Sequence, residues 1–533
     1  MYEKQLLSGD EAIAQACLDC GVKMGVGYPG TPSTEILEYF STLGGHSQWA
    51  PNEKVALEVG IGSAFSNART LVTMKHVGLN VAADPLFTVA YTGTDGGLVI
   101  LSADDPGMAS SQNEQDNRNY AVAAGLPMFE PADSQEAYDL TIRAFEVSEQ
   151  WKIPVLFRIT TRVCHSKCIV MRRTPASAPG KPHFERNVKG KVMVPAFARP
   201  AHRELRRKLA ELAQYNNQSA DLTVEYRRGD RLGIITSGIS VQHSLDAAPE
   251  ASILHLKMIY PLPLERISKF VDSVERCVVV EEGDPWLEKQ LRAAGLHIGG
   301  KPEMYRFGEL SVGRVRRLLN GDVSPETAPP AGKPPQLCPG CPHRKVFDVL
   351  RDMGSIVSGD IGCYTLGVMP PFSAMDTCVC MGASIGVALG MRQVLPEEEA
   401  RRVVSVIGDS TFMHSGLTGI VDMVYNRPPT GHLVLILDNH TTAMTGLQEH
   451  AGTGRKLDHT PAPQIIIEDV VRAMGVDHVD VIDPTAKPAE FTGLVARRLA
   501  SNDISVIVAR RPCILALVKI RQYENLNAEQ GAK

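Results

Sequence analysis

Apolar runs of strand length alternate along the chain with segments whose apolar residues recur at helical spacing. In the first third, these runs are LVTMKH, GLVILSAD and IPVLFRIT. Continuous apolar runs of this length are typical of strands in parallel sheets that helices cover on both faces. The pattern therefore predicts a doubly wound α/β fold. The first helix has its own boundary signals: Ser8 and Glu11 have the spacing of a capping box, and Gly21 is placed to end the helix.

Proline-rich and basic stretches interrupt this alternation and predict three α/β domains. The second domain carries the strand candidates RLGIITSG and CVVVEEG, and the third carries RVVSVIGD, HLVLILDN and ISVIVARR. The predicted organisation is residues 1–175 as the first domain, 176–229 as a linker with an amphipathic helix, 230–322 as the second domain, and 333–533 as the third.

Composition is that of an ordinary globular protein and disfavours nucleic-acid and membrane partners. A length of 533 residues with 44% hydrophobic and 22% charged residues suits several packed domains. The net charge is −5 with Lys and Arg spread along the chain, so no nucleic-acid partner is expected. The N-terminus lacks a signal peptide and the apolar runs are too short to span a bilayer, which predicts a cytoplasmic protein with no membrane partner.

Two strand ends in the last third carry oxygen-bearing side chains. The run VVSVIGDS leads into Asp409, and LVLILDNHT leads into Asn439, thirty positions later. Ligands of doubly wound sheets bind outside the carboxyl ends of the strands, so both side chains are expected to face one crevice. Such oxygens suit a Mg²⁺ ion that phosphate groups also bind. Gly408 is expected to allow a sharp turn, and the helix after Ser410 to offer its N-terminus to an anion. The alternative is that both side chains only cap turns.

Cys338 and Cys341 form a CPGC segment that could be half of a zinc or iron–sulfur site. No matching second pair has the expected spacing, and the chain lacks the C-x-x-C-x-x-C-x-x-x-C-P run of an eight-iron ferredoxin module. All eleven cysteines are expected to be thiols.

Segments along the whole chain resemble the large subunit of indolepyruvate:ferredoxin oxidoreductases. The resemblance covers nearly all of residues 5–515 and rests on NEKVALEVG, TMKHVGLNVAADPL, DDPGMASSQNEQDNR, CPGCPHR, DIGCYTLG, CMGASIG, IGDSTFMHSG and LDNHTTAMTG. It implies a pyrimidine-binding, a transketolase-C-like and a diphosphate-binding domain, in the order of the three predicted domains. It also implies thiamine diphosphate and Mg²⁺ as cofactors, and oxidative decarboxylation of an aryl 2-oxo acid such as indolepyruvate.

The resemblance extends to the metal site. The general thiamine-diphosphate signature contains G-D-G and a later strand-end Asn, and this branch of the family has G-D-S, which accounts for Ser410. The implied Mg²⁺ ligands are Asp409, Asn439 and the carbonyl of Thr441. The other implied cofactor contacts in this domain are Cys338, His343, Asp360, Gly362, Cys363, Gly408, Ser410 and Thr442. For His343, a purely structural role is the alternative.

Thiamine catalysis also needs a carboxyl group beside N1′ of the aminopyrimidine, where a shared proton favours the imino tautomer that deprotonates C2 of the thiazolium. Glu53 and Glu58 compete for this role. Related pyruvate oxidoreductases place this Glu nine residues before a small-residue segment, which here begins at Gly62 and selects Glu53. Glu58 is the second candidate, with a solvated helix face as its ordinary role.

Three residues are candidates for contact with the reacting groups. Thr31, in GYPGTPST, resembles a threonine near the reacting centre of this superfamily, although a helix cap is equally compatible. Lys75 and His76 end a predicted strand, where Lys75 could hold the substrate carboxylate and His76 could transfer protons. A solvated strand end is their alternative. Weaker candidates are Gln112, Asn113, Arg118 and His414.

The resemblance fails near the C-terminus, which affects the expected electron path. Family members usually continue beyond VARRPC into a ferredoxin-like domain with two clusters, whereas this chain ends soon after Cys513. We therefore expect no iron–sulfur cluster here. Electrons are expected to pass to a smaller gamma- or beta-type partner subunit of a hetero-oligomer, or to another carrier, while CoA captures the acyl group. The alternative enzyme is a non-oxidative 2-oxo acid decarboxylase or carboligase. A regulatory subunit without activity is a third possibility, which the retained Glu53, Asp409 and Asn439 disfavour.

Overall fold

The apolar runs of the sequence form the strands of three main sheets, two in Met1–Thr327 and one in Ala328–Lys533, the two compact units of the chain. The computed structural model describes residues 3–173, 181–327 and 334–523. The linker residues 174–180 and 328–333 therefore lie outside the described residues.

The first unit contains thirteen strands and fourteen α-helices among the described residues. The strands are β1 (Glu3–Ser8), β2 (Met24–Gly27), β3 (Ser47–Trp49), β4 (Thr70–Lys75), β5 (Leu98–Asp104), β6 (Met128–Phe129), β7 (Val155–Thr160), β8 (Lys167–Arg172), β9 (Thr223–Tyr226), β10 (Leu232–Thr236), β11 (Ser252–Leu256), β12 (Met258–Tyr260) and β13 (Arg276–Val280). The helices are α1 (Gly9–Asp19), α2 (Thr34–Thr42), α3 (Glu53–Phe65), α4 (His76–Val81), α5 (Ala83–Thr92), α6 (Arg118–Ala124), α7 (Ser134–Trp151), α8 (Thr161–His165), α9 (Val188–Lys191), α10 (Pro195–Gln218), α11 (Ser240–Ala247), α12 (Leu264–Asp272), α13 (Trp286–Ala293) and α14 (Val312–Leu319).

The large sheet of the first unit has the order β12-β6-β7-β5-β4-β2-β3, and its strands are parallel except for β12. The smaller sheet has the order β13-β10-β11-β9, with β9 antiparallel. Strand β12 follows β11 in the chain but pairs with β6 in the large sheet. The two predicted domains of this region thus share a strand and form one compact unit, and their division at residue 230 stays a prediction.

The second unit contains one six-stranded parallel sheet with the order β15-β14-β16-β17-β19-β18. Its strands are β14 (Ile356–Gly359), β15 (Thr377–Cys378), β16 (Val403–Gly408), β17 (His432–Asp438), β18 (His478–Ile482) and β19 (Ile504–Arg510). Its helices are α15 (His343–Asp352), α16 (Ala383–Val394), α17 (Glu397–Ala400), α18 (Asp409–Thr411), α19 (Leu417–Tyr425), α20 (Ile467–Ala473) and α21 (Pro488–Ala500).

Strand β17 shows why its sequence is apolar throughout. Leu433, Leu435 and Leu437 pack into the core on one face of the sheet, and Val434 and Ile436 pack into the core on the other. Helices therefore cover both faces, as the apolar runs predict, and the predicted α/β fold class is confirmed.

Local signals also correspond to the observed elements. The Ser8 hydroxyl accepts a hydrogen bond from the Glu11 N–H, and the Glu11 carboxylate accepts one from the Ser8 N–H, so the predicted capping box begins α1. Gly21 follows the helix with a φ of +75°. Among the described helices, none is long and apolar enough to cross a membrane.

Candidate active site

The carboxyl ends of β16 and β17 bring the predicted metal ligands to one edge of the sheet in the second unit. The two strands are adjacent and parallel, with Gly408 opposite Leu437. Asp409 and Asn439 follow directly and are both buried. The hydroxyl oxygens of Ser410 and Thr442 lie 2.7 Å apart and join the two strand ends by a hydrogen bond. The sequence prediction of one shared crevice agrees with this arrangement.

Hydrogen bonds fix the orientation of Asn439. Its Oδ1 accepts a hydrogen bond from the Thr441 N–H at 3.1 Å, and its Nδ2 donates to Nε2 of His343 at 3.2 Å. The Thr441 hydroxyl donates to the Gln448 carbonyl at 3.2 Å. The side-chain amide of Asn439 and the backbone of Thr441 thus form one compact turn. The amide oxygen of Asn439 and the carbonyl oxygen of Thr441 are the oxygen atoms that this turn offers to a hard cation.

Two carboxylates lie side by side at this edge. Burial and the negative charge of Asp409 raise the pKa of Asp438, whose carboxylate also accepts a 2.7 Å hydrogen bond from Arg510. The pKa of Asp409 is lowered in spite of burial, because the His450 imidazole contacts it at 3.2 Å. A buried pair of acids with one carboxylate kept ionised is a suitable environment for a divalent cation.

Gly408 has a different role from the predicted sharp turn. Its φ of −83° and ψ of 160° are extended values that any residue adopts. A Cβ at Gly408 would lie 2.6 Å from the ring of Tyr364, and a Cβ at Gly362 would lie 2.3 Å from the same ring. Both glycines are therefore required because the Tyr364 ring packs directly on their backbone.

The predicted start of the helix after Ser410 is also wrong. Helical backbone begins at Asp409 itself, passes through a π-helical turn at Phe412–Gly416, and continues as α19. Asp409 therefore occupies the first helical position, where free N–H groups favour a negative charge. His414 is buried in the π-helical turn.

His343 is the first residue of α15 and lies against Asn439. Burial lowers its pKa to about 4, although the charge of Asp409 opposes this shift. At neutral pH the side chain is an uncharged imidazole. It can therefore exchange a hydrogen bond with a neighbouring group without adding charge.

Asp360 positions a loop. Its two carboxylate oxygens accept hydrogen bonds from the N–H groups of Gly382 at 2.8 Å, Ser384 at 3.0 Å and Ile361 at 2.9 Å. These bonds cap the start of α16 and hold the CMGASIG segment against the end of β14. Contact of Asp360 with a cofactor stays a prediction.

Four cysteines from three separate segments of the sequence line one pocket in the second unit. The pocket is bordered by Cys338, Cys341, Cys363 and Cys513, together with His343 and Asn439. Cys363 and Cys513 thus lie near the CPGC pair in the fold, although the sequence contains no second pair with the expected spacing. No three of these sulfurs lie within 4.8 Å of one another, whereas tetrahedral zinc at 2.3 Å would hold them about 3.8 Å apart.

Glu53 and Glu58 occupy different environments on α3 in the first unit. Glu53 is 4% exposed and lies against Gly78, where a Cβ would approach its carboxylate oxygen to 2.4 Å. Glu58 has a side chain that is 45% exposed, and it pairs with Lys54 on the surface of the helix. Of the two acids, only Glu53 is in a buried position.

Lys75 and His76 are buried, so their solvated strand-end interpretation is wrong. The Lys75 ammonium donates a 2.7 Å hydrogen bond to the Ser110 carbonyl, and burial lowers its pKa to about 8, although Asp105 opposes this. Nε2 of His76 lies 3.1 Å from the Asn113 carbonyl oxygen. The loop that carries Thr31 packs on Lys75, because a Cβ at the preceding Gly30 would lie 3.0 Å from Cβ of Lys75.

Arg118, a weaker candidate, has a structural role instead. It is 1% exposed and forms ion pairs with Asp116 and, at 2.6 Å, with Glu281. Its guanidinium connects the loop before α6 to the end of β13, so it is not available to hold a substrate carboxylate.

Three residues of the second unit were not found from the sequence. The imidazole of His450 and the carboxyl group of Asp438 are neighbours of Asp409, and Tyr364 packs under the glycines. Asp438 could have been found, because it ends the same apolar run as Asn439. His450 lies in an irregular loop between β17 and α20, where no periodic pattern indicates its position.

Two family models match the chain, one in each of its two compact units. Residues 360–509 match the family described as thiamine pyrophosphate enzyme, C-terminal TPP binding domain. Residues 15–199 match the family described as pyruvate flavodoxin/ferredoxin oxidoreductase, thiamine diphosphate binding.

Full-length relatives are similar over almost the whole chain. The chain is 40% identical to the indolepyruvate oxidoreductase subunit IorA of Methanothermobacter marburgensis, over 97% of this chain and 88% of that protein. It is 38% identical to IorA of Archaeoglobus fulgidus, over 98% and 88%. Among solved structures, 2-oxoglutarate:ferredoxin oxidoreductase from Magnetococcus marinus has a TM-score of 0.52 at 15% identity, covering 60% of this chain and 65% of that one. This last similarity concerns the fold alone.

Proposed function

This chain belongs to the family of indolepyruvate oxidoreductase IorA subunits, and from that membership we propose its substrate, its product and the roles of its site residues. It is the catalytic subunit of a thiamine-diphosphate-dependent 2-oxo acid oxidoreductase. The proposed substrate is an aryl 2-oxo acid such as indolepyruvate, and the proposed product is the acyl-CoA. The observation that carries this proposal is the group of oxygen donors at the ends of β16 and β17, in a chain that is similar to IorA subunits over almost its full length.

The donors at this edge fit a magnesium ion that also binds a diphosphate. Asp409 supplies an ionised carboxylate, and Asn439 and Thr441 supply an amide and a backbone oxygen. The neutral His343 and the hydroxyls of Ser410 and Thr442 can donate hydrogen bonds to phosphate oxygens without adding charge. Bound thiamine diphosphate supplies the carbon nucleophile and the electron sink for decarboxylation.

Residues of the first unit are proposed to handle protons and the substrate. Glu53 would hold the proton at N1′ of the aminopyrimidine, and its burial supports this role over Glu58. The Lys75 ammonium would bind the carboxylate of the 2-oxo acid, next to Thr31. His76 would move a proton, since its Nδ1 has no hydrogen-bond partner among the described residues.

For the path of the electrons, the structure favours a proposal that differs from the expectation that this chain holds no iron–sulfur cluster. Cys338, Cys341, Cys363 and Cys513 line one pocket and together supply four thiols, the number of ligands that binds an iron–sulfur cluster. We therefore replace the expectation of a chain without a cluster by the proposal that these thiols can hold one. Such a cluster would store single electrons before they pass to a smaller partner subunit, which the designation of the relatives as subunits supports.

Product analysis across a substrate panel tests the proposal. Indolepyruvate, phenylpyruvate, pyruvate and 2-oxoglutarate are incubated separately with the protein, both cofactors, CoA and an electron-accepting dye. Acyl-CoA and aldehyde are then separated chromatographically. The aryl substrates should give acyl-CoA with the highest kcat/KM. A preference for pyruvate or 2-oxoglutarate would contradict the aryl assignment, and aldehyde as the only product would favour the non-oxidative decarboxylase.

A further inference from the structure

Three possible metal ligands converge in the first unit on residues that the proposed function does not use. Asp10 lies in the first turn of α1, Glu35 in the first turn of α2, and His165 is the last residue of α8. One ligand atom from each residue lies within 4.8 Å of the ligand atoms of the other two. Among the described residues, this is the only such group of three.

Asp10 provides an independent indication of a ligand. Its side chain is 1% exposed, and neither carboxylate oxygen accepts a hydrogen bond from an N–H or O–H group among the described residues; its hydrogen-bonding neighbour is the weakly donating Cys164 thiol. Burial raises its pKa well above the usual range, with the neighbouring Cys164 thiol opposing the shift and Glu35 adding to it. A buried carboxylate with only a thiol as donor is unfavourable unless a proton or a cation neutralises it. A second carboxylate beside it increases the demand for positive charge.

The surrounding backbone holds the three residues in place. A Cβ at Gly9, the residue before Asp10, would lie 2.3 Å from the backbone carbonyl oxygen of Val163, two residues before His165. The start of α1 and helix α8 are therefore in direct backbone contact. Asp10 is fixed by burial, whereas Glu35 and His165 are exposed and can adjust their side chains around an ion. One rigid and two adjustable ligands form a partly preorganised site.

We propose that Asp10, Glu35 and His165 bind one divalent transition-metal ion, for which Zn²⁺ is the best match. An imidazole nitrogen and two carboxylate oxygens are ligands that zinc accepts, with water in the fourth position. The imidazole disfavours Mg²⁺ and Ca²⁺, which prefer oxygen ligands alone. Two bonds of about 2.1 Å span at most about 4.2 Å, so a small closure of the two exposed side chains completes the geometry.

A bound ion would connect α1, α2 and α8. Helix α2 directly follows the loop that carries Thr31, and α8 directly follows β7 at the carboxyl edge of the large sheet. The ion would thus stabilise this part of the first unit by binding to the folded state and not to the unfolded chain. This structural role does not depend on the proposed function.

Zinc binding by the full-length protein tests the proposal. The protein is treated with a chelator, saturated with Mg²⁺ and thiamine diphosphate, titrated calorimetrically with Zn²⁺, and analysed for bound zinc after gel filtration. The His165→Gln and Glu35→Gln variants should each bind about one equivalent less than the unmodified protein. Glu38→Gln, one turn further along α2, is the matched control and should bind the full amount. Zinc held by thiols elsewhere remains in all variants and cancels in the comparison.

Thermal unfolding gives a second readout. Zn²⁺ should raise the Tm of the unmodified protein and of Glu38→Gln, and this rise should be smaller in His165→Gln and Glu35→Gln. Both changes are at exposed positions, and circular dichroism checks that the variants fold. Equal zinc content in the unmodified protein and both variants, or no bound zinc in any of them, would overturn the proposal.

Discussion

Individual buried side chains determine what each candidate site can bind. Asp409 stays ionised because His450 contacts it, and His343 stays neutral because it is buried. In the first unit, Glu53 and Lys75 are removed from bulk water while Glu58 is not. Burial and the nearest charged group therefore determine which proton each of these side chains holds and which hydrogen bonds it can form. These two properties in turn decide what the residue can bind.

The comparison of the two glutamates on α3 gives the first prediction. Glu53→Gln should slow the exchange of the C2 proton of bound thiamine diphosphate by at least about 10²-fold, because an amide cannot share the N1′ proton as a carboxyl group does. Exchange into deuterium, quenched and read by NMR, measures this step. Glu58→Gln is the control and should exchange at the normal rate. Slow exchange in Glu58→Gln with normal exchange in Glu53→Gln would transfer the role to Glu58.

Lys75 gives a pH-dependent prediction. Its pKa of about 8 means that the ammonium is present below this pH and is lost above it. If the ammonium binds the substrate carboxylate, kcat/KM should fall roughly tenfold per pH unit above about 8. Lys75→Gln should lower kcat/KM at pH 7 by about 10- to 100-fold, the cost of a lost hydrogen bond to a charged group. It should also remove this alkaline limb. An unchanged limb in Lys75→Gln would show that another group titrates.

At the scale of elements, apolar periodicity identifies the strands well and their ends less well. The parallel strands β4, β5, β7, β16, β17 and β19 follow directly from their apolar runs, since each is buried on both faces. The start of the helix at Asp409 and the π-helical turn at Phe412–Gly416 do not follow from the apolar pattern, which carries no signal for either. The loop that carries His450 has no period at all.

The packing of Tyr364 leads to a stability prediction for the second unit. Gly408→Ala would place a Cβ 2.6 Å from the Tyr364 ring, and this overpacking should destabilise the unit by about 1–3 kcal/mol. Gly386→Ala, on an open face within α16, meets nothing within 4 Å and should stabilise the unit by up to about 1 kcal/mol. Denaturant unfolding monitored by circular dichroism compares the two variants. Similar effects of both substitutions would contradict the role assigned to the Tyr364 ring.

At the scale of the whole molecule, the sequence predicts the three α/β sheets but not every long-range contact. The pairing of β12 with β6, which merges two predicted domains, joins segments more than a hundred residues apart. The four-cysteine pocket combines a local CPGC pair with Cys363 and Cys513, and spacing alone does not indicate such a set. Both features depend on how distant segments pack, which local patterns do not determine.

If the four cysteines of the pocket bind an iron–sulfur cluster, the protein should take up iron and sulfide. After anaerobic reconstitution with iron and sulfide, the full-length protein should bind both elements stoichiometrically and show the broad visible absorbance of an iron–sulfur cluster. Cys363→Ser and Cys513→Ser should each reduce the bound iron, whereas Cys277→Ser, at a buried cysteine of the first unit, should not. Equal iron in all variants, or no iron in the unmodified protein, would show that these four thiols do not bind an iron–sulfur cluster.

The central claim is that this chain catalyses oxidative decarboxylation of a 2-oxo acid with thiamine diphosphate, and counting electrons per CO₂ tests it most directly. The protein, purified with any subunits that accompany it, is supplied with Mg²⁺, thiamine diphosphate, CoA, indolepyruvate and an electron-accepting dye. Released CO₂ and reduced dye are measured in the same sample. Two electrons should be transferred per CO₂, and no reaction should occur after thiamine diphosphate is removed. Release of CO₂ with an equal amount of aldehyde and no reduced dye would contradict it.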